Sequence, residues 1–450
     1  MTAVRLSEVA YDRRTLLLLG GLGALLVALD WAAPALHHRL GSAAFVTLMA
    51  LHAAIAFGVT QRAADWDSPA ALAIVLAAAL ASRLLLLFTE PYLSTDIWRY
   101  VWDGRVQGAG INPYLHIPAA PELAHLRDAA VFPNINRADY APTIYPPTAQ
   151  WIFFLATRLA DSMLGMKAVL LGFDLATIAA LLALLRRLGR PLLCVAAYAW
   201  HPLPVWEVAG NGHVDASMIA LLMWSLWLAL AGSPRLAGAL AMLAALVKPT
   251  ALLALPVYWR PWDWRLVAVV LALAGLMYAP FLSAGWGVLG FGPGYLREEG
   301  VTSGSGLWLP QLFTQSDALP LWLIVVLYAA AAALLAALAL WTGFRHDRSP
   351  TRSMGLLLLL ILVFLDILAP NYPWYFLVLA AFLPLTSALS PWILPSLAFA
   401  FYDVIDGGDP TWIPLRVTKV ALYLATTLAI LYDLRTGRLP GRPDRGASTR

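Results

Sequence analysis

A short polar and aromatic segment at residues 94–114 stands out in an otherwise apolar chain. Ser94 and Thr95 are common N-cap residues, so the segment predicts a helix that begins there and ends before Tyr114. Its three- and four-residue spacing separates a polar face from an apolar face. About a dozen residues are too few to span a bilayer, so we expect the helix to lie along the membrane surface. The polar face consists of Asp96, Arg99, Tyr100, Asp103 and Gln107, and only Arg105 breaks the pattern.

The two carboxylates of this predicted helix have different predicted roles. Asp103 follows Arg99 by four residues, so an ordinary ion pair within the helix is its predicted role. Asp96 has no such partner and is the freer carboxylate, which makes it a candidate general base. The alternative for Asp96 is an acid at the helix N-terminus that the helix dipole favours.

Three cations lie where their surroundings make a charge costly. Lys248 is the only lysine deep in an apolar segment, and Pro249 breaks the helix after it, so we expect a phosphate to bind there. Arg416 and Lys419 begin the last predicted span on the external side, against the positive-inside rule, which suggests an anionic partner. The alternatives are a lysine that snorkels to the interface and plain contact with lipid headgroups.

Two other groups of polar and aromatic residues follow spans on the same side. His213 and Asp215 could form a metal site with Glu207, although a hydrogen-bonded loop cap is the commoner role of such a cluster. A divalent metal is therefore possible, and no cofactor is certain. The second group is aromatic, as sugar sites often are, with an interfacial aromatic belt as the alternative. It consists of Tyr372, Trp374 and Tyr375.

The composition identifies the class of protein. Of 450 residues, 61% are hydrophobic and 12% are charged, whereas soluble domains carry about 25% charged residues. We therefore predict an all-α polytopic membrane protein. The net charge of +4 is spread over loop arginines and a basic tail, with no cationic patch interleaved with aromatic residues, which argues against nucleic-acid binding. The single cysteine excludes an intrachain disulfide and a cysteine-based metal site.

Apolar runs predict about 13–14 membrane segments. Residues 236–257 are predicted as two half-helices hinged at Lys248 and Pro249, because the segment must return to the side that it left. Residues 89–149 form a large external loop, and a second surface helix follows it at residues 148–159. The continuous spans are predicted at 15–36, 43–60, 69–88, 166–185, 192–209, 214–232, 266–284, 319–343, 354–370, 374–388, 391–404 and 412–432.

Arginine clusters at short loops indicate the cytoplasmic side of the membrane. They occur at residues 186–190 and 345–352 and in the tail at 435–450. This orientation places the loop at 89–149 outside. Residues 1–434 are then one integral membrane domain, followed by a cytoplasmic basic tail at 435–450.

The candidate residues thus gather on one face of the membrane as a carboxylate, several cations and a set of aromatic rings. Transfer of a sugar from a lipid phosphate requires this combination. The leaving phosphate needs fixed positive charge, and the acceptor hydroxyl needs a carboxylate as general base.

These residues resemble the GT-C superfamily of polyprenyl-phosphate-sugar-dependent glycosyltransferases over about residues 69–432. Asp96 corresponds to the essential acid at the start of the family's first large external loop, and Tyr145-Pro146-Pro147 corresponds to its Tyr-Pro-Pro element. The segments most similar to bacterial mannosyltransferases that use polyprenol-phosphate mannose are 96–105, 110–114 and 373–375. In many members the acid follows the first span, whereas here it follows the third predicted span, so two extra N-terminal spans are implied.

The resemblance implies an inverting transfer of a hexose, with mannose favoured, from a polyprenyl-phosphate donor to a lipid- or glycan-linked acceptor. It implies a multi-pass protein of a bacterial cytoplasmic (inner) membrane, with the active site facing the periplasm or exterior. Asp96 would act as general base, and Lys248 and Arg416 would hold the donor phosphate. The implied substrate-binding residues are Arg99, Asp103, Arg105, Tyr114, Tyr145, His213, Asp215, Tyr372, Trp374 and Tyr375.

Two alternatives remain open at this point. A flippase or transporter of lipid-linked sugars would also need external cations and an amphipathic helix, although transporters usually have matched broken helices in two repeated halves. The sequence has one such broken segment, at Lys248. A ligase that moves a whole glycan would differ from the first hypothesis only in its donor.

Overall fold

The computed structural model describes residues 2–313, 319–345, 347–402 and 413–440, with residues 2–12 and 413–414 described by backbone alone. Across these residues the secondary structure is helical and no strand occurs, which confirms the predicted all-α class. Residues 441–450 of the predicted basic tail lie outside the described ranges.

The helices fall into longer α-helices and short helical turns. The longer α-helices are α1 Thr2–Leu40, α2 Ser42–Gln61, α3 Pro69–Leu87, α4 Asp96–Gly108, α5 Pro147–Leu159, α6 Met163–Arg187, α7 Asp215–Leu230, α8 Pro234–Ala245, α9 Trp264–Tyr278, α10 Gly292–Glu298, α11 Leu321–Phe344, α12 Pro350–Leu368, α13 Ser390–Leu397 and α14 Ile413–Thr436. The short α-helical turns are Ala63–Trp66, Ala196–Ala199, Pro202–Pro204, Leu255–Tyr258 and Leu377–Ala380. The 3₁₀ helices are Pro121–Leu126, Phe132–Asn134, Leu192–Val195, Pro249–Ala254, Ala279–Leu289, Pro310–Leu312, Pro373–Phe376 and Leu383–Leu385, and Val205–Gly210 is a π-helix.

Eight helical segments of the described residues are long and apolar enough to cross a membrane. The other apolar segments form shorter or broken helices, so the predicted 13–14 segments comprise long spans together with short pieces. The eight are Arg13–Leu40, Ser42–Gln61, Pro69–Leu87, Met163–Arg187, Trp264–Glu298, Leu321–Phe344, Pro350–Leu368 and Leu415–Thr436.

The prediction of one continuous helix over residues 192–209 is wrong. The chain there forms a 3₁₀ turn, two short α-helical turns and the start of the π-helix. Pro202 and Pro204 lack the N–H that a continuing helix needs. Irregular backbone at membrane depth is tolerated where protein surrounds it, and Val195, Leu203 and Val208 are fully buried. The predicted helix over 374–388 is broken in the same way.

The predicted hinge in the segment 236–257 is confirmed. Helix α8 ends at Ala245, and a 3₁₀ helix begins at Pro249. Between them Lys248 has an extended backbone, with φ −143° and ψ 132°. Lys248 therefore lies at the break between the two helices.

Close helix packing holds the predicted loop helix α4 in place. Helix α4 packs along α5 and also contacts α6. Gly104 allows this approach, because a Cβ at that position would lie 2.4 Å from the carbonyl oxygen of Phe153. Ile97, Val101 and Trp102 are buried on the apolar face of α4. The helix is therefore fixed against α5 and against the candidate span α6.

Candidate active site

A cavity of about 750 Å³ lies at the N-terminus of α4. Its wall consists of residues 91–96 and 99, parts of 136–146, the hinge at 247–250, parts of 278–296, and the aromatic residues 372, 374 and 375. The predicted site residues that line it are Asp96, Arg99, Tyr145, Lys248, Tyr372, Trp374 and Tyr375.

Asp96 is the first residue of α4 and lines the cavity. Its Oδ1 accepts a hydrogen bond of 2.8 Å from Nδ2 of Asn136, and its own N–H donates to Oγ of Ser94 at 3.3 Å. Among the described residues of the cavity wall, it is the only carboxylate. A carboxylate with one neutral donor in a cavity retains the acceptor capacity that a general base needs.

Asp103 lies two turns further along α4, is 1% exposed and does not line the cavity. Its Oδ1 accepts from Nε of Arg99 at 2.8 Å, which is the predicted i,i+4 pair. Its Oδ2 accepts from Oγ1 of Thr143 at 2.5 Å and from Nε2 of Gln150 at 3.0 Å. Asp103 is therefore surrounded by polar side chains of the protein, whereas Asp96 on the same face of α4 lines the cavity.

Three cations line the cavity, and each pairs with a carboxylate that does not line it. Nζ of Lys248 donates to Oδ2 of Asp215 at 2.7 Å and lies 4.8 Å from the ring centre of Tyr375. Nε of Arg137 donates to Oε2 of Glu298 at 2.7 Å. The third pair is the buried arginine–aspartate pair of α4. The positive ends of all three pairs thus face the cavity.

Arg137 has an unusual backbone and a strengthened charge. Its φ is 55°, in the left-handed region that a residue with a Cβ rarely adopts, and such strain often occurs at functional sites. Desolvation lowers the pKa of Arg137, but the hydrogen bond and the charge of Glu298 outweigh it and raise the pKa above its ordinary value. The guanidinium is therefore a permanent cation at the cavity.

Tyr145 lines the cavity with a buried phenol. Burial and then the charge of Asp96 raise the pKa of the Tyr145 hydroxyl well above its ordinary value. The Tyr145 ring packs edge-on against Tyr100 and Phe153. The Tyr145 phenol therefore stays protonated at neutral pH.

The aromatic segment forms a stack of three rings. Tyr372 and Trp374 lie 4.6 Å apart between ring centres with an interplanar angle of 11°. The His213 ring lies 4.2 Å from Trp374, at 23°. Trp374 therefore stacks with two rings, and of these Tyr372 also lines the cavity.

Two predicted substrate-binding residues lie away from the cavity wall. Arg105 forms ion pairs with Asp128, at 2.5 Å, and with Asp161, at 2.7 Å. The Tyr114 hydroxyl donates to the backbone carbonyl of Tyr145 at 2.6 Å. Arg105 links residues 105, 128 and 161, and Tyr114 supports a residue that does line the cavity.

Arg416, predicted to hold the donor phosphate, is not part of the cavity wall either. Its Nη2 donates to the backbone carbonyl of Gln311 at 3.0 Å. The structure therefore brings Lys248 together with Asp96 in one cavity but does not bring Arg416 there.

His213 and Asp215 are divided between two different pairs. Nε2 of His213 lies 3.2 Å from Oε2 of Glu207, and both side chains are buried, whereas Asp215 pairs with Lys248. Within the described ranges, no group of three or more histidine, cysteine and acidic side chains is arranged to hold a metal ion. The hydrogen bonds that close this loop come from the backbone N–H of His213 to the Glu207 carbonyl, at 2.9 Å, and from the Asn211 amide to the Glu207 carboxylate, at 3.1 Å.

Sequence reasoning missed several residues of the cavity wall. Asn136, Arg137 and Tyr278 line it. The two loop residues lie in a stretch without helical periodicity, so no pattern indicated which side they face. The adjacent Asn136 and Arg137 after a proline-containing turn were the only available signal.

One comparison with known proteins gives a match. A model of the N-terminal domain of the alpha-(1->6)-mannopyranosyltransferase family, MptA/B, matches residues 15–262, more than half of the chain. Searches of curated proteins and of solved structures give no match. The matched range contains Asp96, Arg99 and Lys248 and ends before the aromatic stack.

Proposed function

Because the chain belongs to the alpha-(1->6)-mannopyranosyltransferase family, we propose that it moves mannose from a polyprenyl-phosphate donor to a lipid- or glycan-linked acceptor, with Asp96 as general base. Membership makes it a mannosyltransferase of the GT-C type, and the eight apolar helices make it a multi-pass membrane protein. The flippase hypothesis is therefore not retained. A single sugar, rather than a whole glycan, is the transferred group.

The proposed reaction is a direct displacement at the anomeric carbon of mannose. Asp96 takes the proton of the acceptor hydroxyl, the acceptor oxygen bonds to C1, and the bond from C1 to the phosphate oxygen breaks. The electron pair of that bond leaves with the polyprenyl phosphate. Inversion of a β-linked mannosyl phosphate gives an α linkage, the linkage that the family description names.

The observation that carries this proposal is the arrangement of charge around the cavity. Arg99, Arg137 and Lys248 face it with their paired carboxylates behind them, and Asp96 faces it alone. An arginine has five N–H donors and a lysine three, so each cation keeps donors beyond its pair. Fixed donors of this kind stabilise the charge that develops on a leaving phosphate.

One wall of the cavity is suited to the lipid chain of the donor. Leu289 and Leu296 line the cavity and are 57% and 50% exposed. On the 3₁₀ helix that carries Leu289, the residues Leu282 and Trp286 are 63% and 89% exposed. An apolar surface continuous with the cavity would allow a polyprenyl chain to lie in the bilayer while its phosphate meets the cations. We place this reaction on the outer face of a bacterial inner membrane, following the arginine clusters of the loops.

The donor is tested by measuring polyprenyl phosphate released by the purified protein from mannose-, glucose- and galactose-bearing polyprenyl phosphates. A membrane extract supplies the acceptor, and Asp96→Asn measures the background. We expect release from the mannose donor only, with mannose recovered in α linkage. Release from another sugar donor alone would overturn the sugar, and equal release by Asp96→Asn would overturn the role of the carboxylate.

A further inference from the structure

The segment Thr89–Thr95 connects the outer end of α3 to Asp96, and its residues from Pro91 onward line the cavity. It has no regular secondary structure. Its path determines where α4 begins and hence where the carboxylate lies. Two buried polar side chains from other helical segments hold this connecting segment in place. Neither of them lines the cavity.

The first is Lys167, near the start of α6 and 0% exposed. Its Nζ donates to the backbone carbonyls of Leu86 at 2.8 Å and Thr89 at 2.7 Å. The last carbonyls of a helix lack intrahelical partners, and a cation there is favoured by the helix dipole. A buried intramembrane charge is costly, so this lysine is retained for a purpose beyond packing.

The second is Asn211, which follows the π-helix and is 1% exposed. Its Oδ1 accepts from the backbone N–H groups of Tyr92 at 3.1 Å and Leu93 at 2.9 Å. Its Nδ2 donates to Oε2 of Glu207 at 3.1 Å, which fixes the orientation of the amide. Asn211 thus accepts hydrogen bonds from N–H groups in the middle of the segment. Lys167 donates hydrogen bonds to carbonyls at its start.

Gly212, which follows Asn211, packs against Lys167 and the first turn of α4, and we call Lys167 and Asn211 together the clamp. Gly212 has φ 72°, and a Cβ there would lie 2.4 Å from Cδ1 of Ile97 and 3.2 Å from Cγ of Lys167. The glycine therefore permits the chain after Asn211 to pack tightly against both the first turn of α4 and the lysine stem. The clamp and the helix that carries Asp96 form one packed unit.

We infer that Lys167 and Asn211 are positioning residues that hold the segment Thr89–Thr95 and thereby aim Asp96 into the cavity. The inference rests on the proposed function, because it gives Asp96 the reacting role. A misplacement of about 1 Å can reduce a rate by about 100-fold, so loss of either side chain reduces catalysis without removing a substrate contact.

The kinetic test compares Lys167→Met and Asn211→Leu with Thr177→Val. Thr177 is a buried residue of the same helix α6, and its hydroxyl donates to the backbone carbonyl of Phe173, one turn earlier in that helix. We expect kcat to fall by about 100-fold in both clamp variants with the donor KM changed by less than about threefold, and no change in the control. In an Asp96→Asn background Lys167→Met lowers the residual rate no further, because both changes act through one carboxylate.

A second readout does not depend on activity. A nitroxide is attached at Thr95→Cys, an exposed position, after Cys194→Ala removes the single buried cysteine. We expect a more mobile spectrum with Lys167→Met and with Asn211→Leu, but not with Thr177→Val. Asn211→Leu removes no charge, so the test does not require the lysine variant to fold.

The two readouts separate the clamp from the proposed function. Increased label mobility in a protein that releases no polyprenyl phosphate would retain the clamp and overturn the function. An active wild type whose clamp variants keep both kcat and label mobility would overturn the clamp. A fall in kcat accompanied by an equal rise in donor KM would also overturn it, because the residues would then act on donor binding.

Discussion

Helix α4 carries two carboxylates seven residues apart with opposite surroundings. Asp103 is buried and accepts hydrogen bonds from Arg99, Thr143 and Gln150. Asp96 lies in the cavity wall and accepts from Asn136 alone among the described residues. A carboxylate whose lone pairs are all engaged stabilises a fold, whereas one with free lone pairs in a cavity can accept a proton.

The difference shows how one helix can serve structure and chemistry together. The buried Asp103 fixes the guanidinium of Arg99, and Arg99 in turn faces the cavity. The same division holds at Lys248 and at Arg137, whose carboxylate partners also lie behind the wall. Acids outside the cavity wall orient the cations, and the one acid of the described wall, Asp96, is the residue that we propose for proton transfer.

The largest effect on stability is expected from Asp103→Asn. Removing one member of a buried ion pair leaves the Arg99 charge uncompensated and costs about 3–5 kcal/mol of the free energy of unfolding. Asp96→Asn is expected to change it by less than about 0.5 kcal/mol. Denaturant titration of the purified proteins in detergent measures both. Equal free energies of unfolding for the two variants would contradict the proposal that Asp103 stabilises the fold and Asp96 does not.

The cations of the wall are tested next, by comparing Lys248→Met with Arg416→Met. Loss of a charge-assisted hydrogen bond to the donor phosphate costs about 1.5–3 kcal/mol, so we expect kcat/KM for the donor to fall about 10- to 100-fold in Lys248→Met. Arg416 does not line the cavity, and Arg416→Met should stay near the wild-type value. The reverse order of effects would move the phosphate site to Arg416.

A smaller effect is expected at the aromatic stack. Tyr372→Leu removes the outer ring of the stack, whereas Tyr372→Phe keeps it. Ring contacts are worth about 0.5–1.5 kcal/mol, so the donor KM should rise up to about 10-fold in the leucine variant and much less in the phenylalanine variant. If the donor KM rises as much in the phenylalanine variant as in the leucine variant, the hydroxyl and not the ring makes the contact.

The smallest effect is expected at an exposed acid, Asp128. Desolvation raises its pKa, but the Val131 N–H and Arg105 outweigh this and hold the pKa below its ordinary value. A lowered folded-state pKa stabilises the protein above the unfolded value near 3.9, and this is lost as the pH falls through the folded pKa. Asp128→Asn should therefore cost less than about 1 kcal/mol at pH 7. The gap in melting temperature from wild type should close below about pH 4, and a gap that widens there would contradict the assignment.

Local patterns predicted the parts of the fold that depend on local sequence. The periodicity of residues 94–114 predicted α4, and the Lys248–Pro249 pair predicted the hinge, because helix spacing and a missing N–H act within a few residues. Hydropathy did not predict the broken helices at 192–209 and 374–388. Buried apolar pieces and a long span have the same composition, and only tertiary packing separates them.

The sequence predicted only part of the site, because a local pattern indicates an unusual charge but not the group that the charge contacts. Asp96 and Lys248 stand out as charges in apolar surroundings, and the structure brings both to one cavity. Arg105 and Arg416 stand out equally but pair elsewhere. Arg137 reaches the wall through a left-handed backbone in an irregular loop, and no periodic pattern could show its direction.

The central claim is that Asp96 performs proton transfer and does not bind the donor. Single-turnover release of polyprenyl phosphate from bound polyprenyl-phosphate mannose, started by adding a membrane extract as acceptor, tests it in wild type, Asp96→Asn and Asp139→Asn. Asp139 is an exposed acid of the same loop outside the cavity wall. We expect Asp96→Asn to bind the donor as wild type does while its release rate falls by about 10²- to 10⁴-fold, with Asp139→Asn unchanged. Release by Asp96→Asn at a rate close to wild type, or a matching loss of donor binding, would contradict the claim.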